Sequence, residues 1–496
     1  MQGALEGKTL VNKRSIVSVN VSNIVRILFD FAGKFSNFEV CVGRDEGRGI
    51  VKDIEGKNNR TLEKHPEIQF LPKAEIKKYQ ERRLREALEY LSSHSPFYKR
   101  MFAAHKINPF TIQTLEDLRN VPVTTKKDLQ LYGPDFMCVT PDKVIDYATT
   151  SGTLGDPVTF TETEADLQHL AYNEQLSFQT AGCTANDIMQ EMVTIDRRFM
   201  AGLAYFLGAR DLGMGVVRVG NGIPELQWDT ISRIHPTVGM AVPSFLVKLI
   251  AFAEEHGIDY RNCSMKKCVC IGEALRDPKT FELNTLGQVI HSKWPELQLY
   301  TTYASTEMQH SFTDCQYFNG GHLQPELLIV EFLDDNDMPV GPGEAGEVTI
   351  TTLGVTGMPL LRFKTGDMVY HYDEPCRCGR NTVRVSSVVG RKKQMIKFKG
   401  TTLYPPALFD ILDNIPEVKN YVVEVDTSEL GTDDVVVRVG TLAPSDRFEK
   451  EIKDIFRAKV RVAPGVVFDT PENVAIIIFP PMSRKPVKFI DKRENK

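Results

Sequence analysis

The sequence has no uninterrupted apolar run long enough to span a membrane. Its best candidates are broken by Lys248 or end at Pro480 and Pro481. It also lacks a strong charge of either sign, since the formal net charge is -5 over 496 residues. Such a balance gives no general attraction to nucleic acid or to anionic lipid. A membrane protein and a nucleic-acid-binding protein are therefore both disfavoured.

No secretory signal is recognisable near the N-terminus, because Ser18, Asn20, Ser22 and Arg26 interrupt the apolar residues there. We therefore expect a cytoplasmic protein. Its nine cysteines are then expected to stay reduced and to serve metal binding, chemistry or packing rather than disulfides. No internal repeat or low-complexity tract is present, and the length predicts two or more domains.

Hydrophobic periodicity divides the chain into three pieces. Residues 1–69 are predicted to be an N-terminal extension of unknown role, with a strand at Val17–Val21. From Lys73 the pattern is helical until Ser95, and short apolar strands then alternate with helices such as Ser244–His256. The strands predicted in this middle piece are Ile188–Val193, Gly215–Val219, Val238–Val242 and Lys267–Ile271. Their alternation with helices predicts a parallel α/β core over residues 70–389.

The last piece, residues 390–496, has a different pattern. A hairpin after Gly390 precedes a helix from Pro405, and strands near 418–425 and 434–439 precede a helix from Asp446. This order predicts a small α+β domain.

The segment Tyr147–Phe160 is rich in hydroxyl-bearing and small residues. These include Ser151, Gly152, Thr153 and Gly155. Such residues can turn their N–H groups and hydroxyls toward one anion. A P-loop is disfavoured, because Asp156 and Pro157 follow the last glycine where that motif needs Gly-Lys-Ser/Thr. On this stretch alone, an ordinary turn is an equally good interpretation.

Three charged motifs follow the loop along the chain. Tyr303–Glu307 has an aromatic ring, two hydroxyls and a carboxylate, which suit a purine and a phosphate-bound metal, although a helix N-cap has the same composition. Phe363–Asp367 ends in a Gly-Asp turn whose carboxylate could accept hydrogen bonds from two ribose hydroxyls. Gly390–Lys397, followed by Gly400, is a basic turn of the kind found at a domain junction.

In this order, the motifs resemble those of the adenylate-forming superfamily, and within it the phenylacetate-coenzyme A ligase family. The resemblance extends from about Phe70 to the C-terminus and includes Ser95–Tyr98, Gly272–Ala274 and Arg484–Lys488. It implies a large N-terminal α/β domain with parallel or mixed sheets and a small mobile α+β C-terminal domain. It also implies an ATP-dependent ligase: an aryl or other carboxylic acid and ATP give acyl-AMP and pyrophosphate, and coenzyme A then gives acyl-CoA and AMP.

The resemblance also implies where the nucleotide binds. The residues implied for the ATP phosphates are Thr150, Ser151, Gly152, Thr153 and Gly155. Tyr303 would stack on adenine beside Gly272, Glu273 and Ala274. Leu154 departs from the family pattern, which has a second hydroxyl there, so one phosphate contact could be missing.

Further residues would serve the ribose, the hinge and the thiol. Asp367 would hold the ribose, and Arg391 would support the nucleotide. Lys393 would lie at the hinge between the two domains, and Gly400 near the channel for coenzyme A.

The catalytic residues implied by the family are Thr306, Glu307 and Lys485. Thr306 and Glu307 would serve phosphate and Mg²⁺, and Lys485 would be the adenylation lysine. Arg484 replaces the glycine that usually precedes this lysine, and Lys488 is close enough in sequence to be a rival. A solvated basic tail is the alternative interpretation of both lysines.

Members of this family can carry zinc, and the matching residues here are Cys315, His322, Cys376 and Cys378. Three cysteines and a histidine would make a closed tetrahedral site with no open position, which indicates a structural role. Against it, the Cys-x-Cys spacing is tighter than most zinc spacings, and a free cysteine is often a small buried hydrophobe.

The acid substrate is the least determined feature. Phe199–Phe206 lies where the family lines its acyl pocket, and a buried helix is the competing interpretation. Asp196, Arg197 and Arg198 could meet a polar substituent or cap that helix. Transfer of the acyl group to a carrier protein, and a lapsed nucleotide-binding homologue, are the alternative functions. A homodimer is left open.

Overall fold

A computed structural model describes residues 63–150, 157–399, 401–427, 433–480 and 486–493. All of them belong to one unit of the chain, Arg60–Lys496. The strand expected at Val17–Val21 therefore lies outside the described residues. Residues 63–69, at the end of the predicted extension, do contact the rest of the unit, because the backbone N–H of Asn381 donates to the Gln69 carbonyl at 2.9 Å.

Eleven α-helices occur in the described residues. They are α1 Lys73–His94, α2 Pro96–Ala104, α3 Lys126–Phe136, α4 Glu164–Thr180, α5 Met200–Leu212, α6 Pro224–Ile234, α7 Pro243–Glu255, α8 Thr285–Lys293, α9 Pro405–Asp413, α10 Asp446–Val460 and α11 Pro471–Ile478. The break expected at Ser95 is confirmed, since its side chain caps α2 and Pro96 occupies the first turn, where its missing N–H costs nothing.

Short β-strands make up much of the rest of the described residues. In chain order they are β1 Thr124–Thr125, β2 Asp146–Thr149, β3 Thr159–Glu162, β4 Ile188–Glu191, β5 Gly215–Arg218, β6 Val238–Ala241, β7 Lys267–Cys270, β8 Gln298–Ser305, β9 His310–Asp314, β10 Gly321–His322, β11 Leu328–Leu333, β12 Ala345–Thr352, β13 Phe363–Tyr372, β14 Arg384–Val385, β15 Gly390–Arg391, β16 Ile396–Phe398, β17 Thr401–Leu403, β18 Asn420–Thr427, β19 Asp433–Gly440, β20 Gly465–Asp469 and β21 Phe489–Asp491.

The largest sheet has 13 strands, and its main order is β11-β12-β13-β14-β10-β9-β8-β7-β6-β4-β5. Strands β4 to β8 pair in parallel, whereas β9 to β14 pair antiparallel. The predicted α/β class with a parallel core is confirmed. The parallel strands are short apolar runs because helices cover them, and the side chains of Met189, Val238 and Val269 are fully buried.

A separate sheet of four strands has the order β20-β19-β18-β21. Together with α9 and α10 it encloses its own apolar cluster, which includes Leu408, Val423, Val437 and Ile452. The predicted helices from Pro405 and Asp446 are both present. A separate C-terminal domain starting at residue 390 stays a prediction.

None of the helices in the described ranges combines the length and the apolar character that crossing a bilayer requires.

Candidate nucleotide and metal sites

The expected phosphate loop connects the two strands of a hairpin, β2 and β3. Thr150 leaves β2, and its backbone N–H donates to the Val158 carbonyl at 3.0 Å. The Thr150 hydroxyl accepts from the Val158 N–H, also at 3.0 Å, so these two residues close the base of the loop. Ser151, Gly152, Thr153, Leu154 and Gly155 lie outside the described residues.

Three of the expected nucleotide residues come together where β8, β13 and β15 meet. The Tyr303 hydroxyl donates to Asp367 Oδ2 at 2.9 Å, and Arg391 Nε donates to Asp367 Oδ1 at 3.2 Å. Burial, followed by the charge of Asp367, raises the pKa of Tyr303 well above its usual range. The tyrosine therefore remains a donor, and it holds the carboxylate in one orientation.

A β-bulge aims the Asp367 side chain. Glu347 pairs with Met368 and Thr349 pairs with Lys364, so the β13 strand has extra residues at this point. Gly366 lies in the bulge with φ 80°, in the left-handed region that favours glycine. Bulges are a common means of re-aiming a side chain next to a functional site. The Gly-Asp turn expected from the sequence is thus a kink within a strand.

The Gly272–Ala274 segment follows β7 at the carboxyl edge of the parallel strands. Gly272 has φ 78°, which favours glycine. The Glu273 carboxylate accepts from the backbone N–H of Ser244 at 2.8 Å, at the start of α7. A carboxylate is favourable there because it satisfies a free N–H group at the positive end of the helix dipole.

Thr306 and Glu307 lie in the turn between β8 and β9, three and four residues after Tyr303, and both are half-buried. The alternative interpretation of this motif, a helix N-cap, is wrong, because β8 continues through Ser305 and no helix follows.

The expected hinge lies in a short turn after β15. Lys393 is exposed, whereas Lys392 pairs with Asp335 at 2.8 Å and with the buried Glu347 at 3.0 Å. These ion pairs are therefore made by Lys392, the neighbour of the predicted hinge residue Lys393.

The two candidate lysines near the C-terminus are Lys485 and Lys488. Lys485 and Arg484 lie outside the described residues, as does Gly400. Lys488 Nζ is 3.0 Å from the hydroxyl of Tyr421 and 3.5 Å from Asp413 Oδ1, and it lies over the Tyr421 ring. Tyr421 and Asp413 therefore already bind the Lys488 ammonium beside the four-stranded sheet. This weakens the interpretation of Lys488, in place of Lys485, as the adenylation lysine.

The four residues expected to bind zinc converge. Cys315 follows β9, His322 lies in β10, and Cys376 and Cys378 lie between β13 and β14. Their candidate ligand atoms are all within 4.8 Å of one another. The Cys315 and Cys376 sulfurs are 3.7 Å apart, and Cys378 Sγ is 3.6 Å from His322 Nε2. Tetrahedral zinc with Zn–S of about 2.3 Å and Zn–N of about 2.0 Å needs separations of about 3.8 and 3.6 Å.

The surroundings of the cluster also suit a closed metal site. Cys315 and His322 are fully buried. His322 Nδ1 is 3.4 Å from the Thr382 hydroxyl, which would fix the ring with Nε2 facing the sulfurs. Hydrogen bonds with Cys315 and then His322 lower the pKa of the Cys378 thiol from its usual range, although burial opposes this. The four residues are therefore suited to bind a metal ion through three cysteine sulfurs and one histidine nitrogen.

One cavity is lined both by residues that the sequence singled out and by residues that it did not. It lies at the carboxyl ends of β4 and β5 and is lined by Glu191 and Arg218, among others. Asp196 and Arg197, expected to meet a polar substituent or to cap a helix, also line it, whereas Glu191 and Arg218 belong to no motif.

Comparison with known families identifies the class of protein. The model of the AMP-binding enzyme family matches residues 81–358. The chain therefore belongs to the AMP-binding enzyme family.

Individual relatives are more specific. The chain is 29% identical to the phenylacetate-coenzyme A ligase of Thermus thermophilus, over 71% of this chain and 78% of that protein. It is 28% identical to the enzyme of the same name from Escherichia coli K12, over 67% and 75% of the two chains. These relatives confirm the predicted resemblance.

Among solved structures, the fold is similar to that of 2-hydroxyisobutyryl-CoA ligase in the postadenylation state. The TM-score is 0.74 at 22% identity, and the alignment covers 86% of this chain and 92% of that one. The thioesterification state of the same ligase aligns with a TM-score of 0.62. The expected adenylate-forming fold is confirmed.

Proposed function

We propose that this protein is an ATP-dependent acid-coenzyme A ligase. The observation that carries the proposal is the group Tyr303, Asp367 and Arg391, joined by hydrogen bonds at 2.9 and 3.2 Å in a chain of the AMP-binding enzyme family. The relatives named phenylacetate-coenzyme A ligase support an aryl acid as the substrate class.

In the first half-reaction, a carboxylate oxygen of the acid attacks the α-phosphorus of ATP. The bond to the bridging oxygen breaks and pyrophosphate leaves. Both reactants are anions, so the site must offset their repulsion and stabilise the charge that develops at the α-phosphoryl oxygens. In our proposal Lys485, the donors of the loop from Thr150 to Gly155 and Arg391 do this.

The nucleoside would be bound at the hydrogen-bonded group. Asp367 would accept from the ribose hydroxyls, since a carboxylate has acceptor sites beyond the two that Tyr303 and Arg391 use. The Tyr303 ring would stack on adenine beside Gly272, Glu273 and Ala274.

Glu307, with Thr306 beside it, would hold Mg²⁺ on the ATP phosphates, where the ion would neutralise negative charge. A carboxylate and a hydroxyl are the oxygen ligands this ion prefers, so the residues fit.

In the second half-reaction, the thiol sulfur of coenzyme A attacks the carbonyl carbon of the acyl-adenylate. The bond to the AMP oxygen breaks, and the thiol proton passes to solvent. Lys485 has no role in this step, which is why we propose that the small domain rotates about Lys393 between the two steps and brings Gly400 to the thiol channel.

We further propose that Cys315, His322, Cys376 and Cys378 hold a structural zinc ion. The ion would tie β9 and β10 to the loop that follows β13, close in sequence to Asp367. With four protein ligands it would have no position for substrate.

The test of the function is acid-dependent pyrophosphate release from ATP, measured over a panel of aryl and aliphatic acids with and without coenzyme A. We expect release with at least one aryl acid, and thioester only when coenzyme A is present. If thioester forms only when an acyl carrier protein is supplied, that protein rather than coenzyme A is the acceptor. ATP binding without release for any acid would contradict the ligase and favour a lapsed homologue.

A further inference from the structure

The cavity at the carboxyl ends of β4 and β5 has a volume of about 300 Å³. Its lining includes Glu191, Val193, Thr194, Arg197, Arg218 and Val219. The carboxyl ends of parallel strands are the usual place for a ligand in an α/β sheet, and this volume suits a small molecule.

Glu191 is the unusual member of the lining. Its side chain is fully buried, and neither carboxyl oxygen has a hydrogen-bond partner among the residues that the structure describes. Its backbone carbonyl, by contrast, accepts from the N–H groups of Val219 and Gly220 at 3.1 and 3.0 Å. A buried polar group without a partner destabilises the folded state, so such a group calls for an explanation.

A backbone hydrogen bond links the edge of the cavity to the strand that leads into the proposed ATP site. The Arg198 carbonyl, one residue beyond the lining, accepts from the backbone N–H of Thr149 at 2.9 Å. Thr149 ends β2, the strand that leads into the proposed phosphate loop. An acid in this cavity would therefore lie close to Thr149, where β2 leads into the proposed phosphate loop.

The charges of the lining restrict the ligand. Burial raises the pKa of Glu191 to about 8, although the charge of Arg218 opposes this. The carboxyl group is therefore mostly neutral at pH 7 and can both donate and accept a hydrogen bond. Arg197 and Arg218 disfavour an ammonium group nearby, and Asp196 in the same lining disfavours a second carboxylate. These properties favour a ligand with a neutral polar group such as a hydroxyl.

We propose that Glu191 is a specificity-determining residue that hydrogen-bonds a hydroxyl group on the acid substrate, remote from the reacting carboxylate. The substrate class would then be hydroxyl-bearing aryl acids. This inference rests on the proposed ligase function.

The test compares 4-hydroxyphenylacetate, 3-hydroxyphenylacetate, phenylacetate and 4-aminophenylacetate by kcat/KM for pyrophosphate release. We expect the wild type to prefer one hydroxylated acid over phenylacetate by about tenfold or more, because a site built for a hydroxyl rejects the analogue that lacks it. Glu191→Leu should reduce this ratio by about tenfold or more, and Glu191→Gln should retain most of it, because an amide still donates and accepts.

Glu162→Leu is the matched control, since the carboxyl oxygens of Glu162 are also buried without a hydrogen-bond partner among the described residues, but Glu162 lies outside the cavity lining. It should leave the ratio unchanged. An equal loss for every acid in Glu191→Leu, or no preference for a hydroxylated acid in the wild type, would overturn the inference.

Calorimetric binding of the same acids separates this inference from the ligase proposal. If no acid supports pyrophosphate release, the ligase proposal fails. A hydroxylated acid that still binds the wild type, and binds Glu191→Leu about tenfold more weakly, would then support the role of Glu191. Equal binding to both proteins would contradict it. If Glu191→Leu does not fold, Glu191→Met takes its place.

Discussion

The proposed nucleotide site and the cysteine-histidine cluster are both assembled from turns and strands of one large sheet, yet they are built differently. At the nucleotide site, Asp367 is held by Tyr303 and Arg391, and the Arg391 side chain is 37% exposed. In the cluster, the ligand atoms face one point and Cys315 and His322 are fully buried. The first arrangement leaves acceptor sites for a ligand that must come and go, whereas the second has room for a permanent ion.

The largest effect is expected for Lys485, the proposed adenylation lysine. Lys485→Ala should reduce acid-dependent pyrophosphate release by about 10²- to 10³-fold, because it removes a cation that stabilises the developing charge. Turnover of supplied acyl-adenylate with coenzyme A should change far less. Rapid-quench measurement of the two half-reactions checks this.

Lys488→Ala is the matched control for that experiment. Its ammonium is already partnered by Tyr421 and Asp413, so we expect less than about a threefold change in rate together with a lower Tm. A larger loss of pyrophosphate release in Lys488→Ala than in Lys485→Ala would reverse the two assignments.

The next largest effect is expected for Asp367, the carboxylate of the proposed nucleotide site. Asp367→Asn should raise the KM for ATP by about tenfold, because the neutral amide is a weaker acceptor for ribose hydroxyls and for Arg391. Asp426→Asn, at an exposed carboxylate on β18, is the control and should have no effect on KM. A lower Tm with an unchanged KM would mean that Asp367 acts only in folding.

A substitution in the cysteine-histidine cluster should lower the stability of the protein rather than its catalytic rate. Cys376→Ser should lose about one equivalent of zinc by elemental analysis and lower Tm by at least about 3 °C, since metal binding contributes to folding. Cys263→Ser, outside the cluster, should keep the metal. The contrast between the two sites fails if wild-type protein contains no zinc, or if Cys376→Ser is fully stable.

The smallest effect is a pH dependence at Glu162. Burial, followed by the charges of Asp146 and Asp166, raises the pKa of Glu162 to about 8. The folded state then binds a proton that the unfolded state has lost, so stability falls as pH rises from about 4.5 to about 8. Glu162→Gln should raise Tm by a few degrees more at pH 9 than at pH 5, measured by calorimetry. An equal shift at both pH values would contradict this.

Local patterns made much of the fold predictable. The apolar runs at Ile188, Val238 and Lys267 became β4, β6 and β7, and only the ends of the strands differ by one or two residues. The helix expected from Lys73 begins there and ends at the residue before Ser95. These features depend on neighbours along the chain, through periodicity and capping.

Two features of the sites could not be read in this way. Glu191 resembles any charged residue within a strand, and its burial beside a cavity depends on how β4 and β5 pack under the loop after β4. Lys488 is a weaker candidate for the adenylation lysine only because Tyr421 and Asp413 bind its ammonium. These two residues are 67 and 75 residues away in sequence.

The sequence by itself determined the class of the protein, because the order of its motifs is a property of the chain and survives without coordinates. It also determined the α/β class, since strand and helix periodicities are local. Only the tertiary structure decided that Cys315 and Cys376, 61 residues apart, lie with sulfurs 3.7 Å from each other, and that a bulge aims Asp367 at Tyr303 and Arg391. Such convergence depends on strand register and on packing between distant elements, which no local pattern encodes.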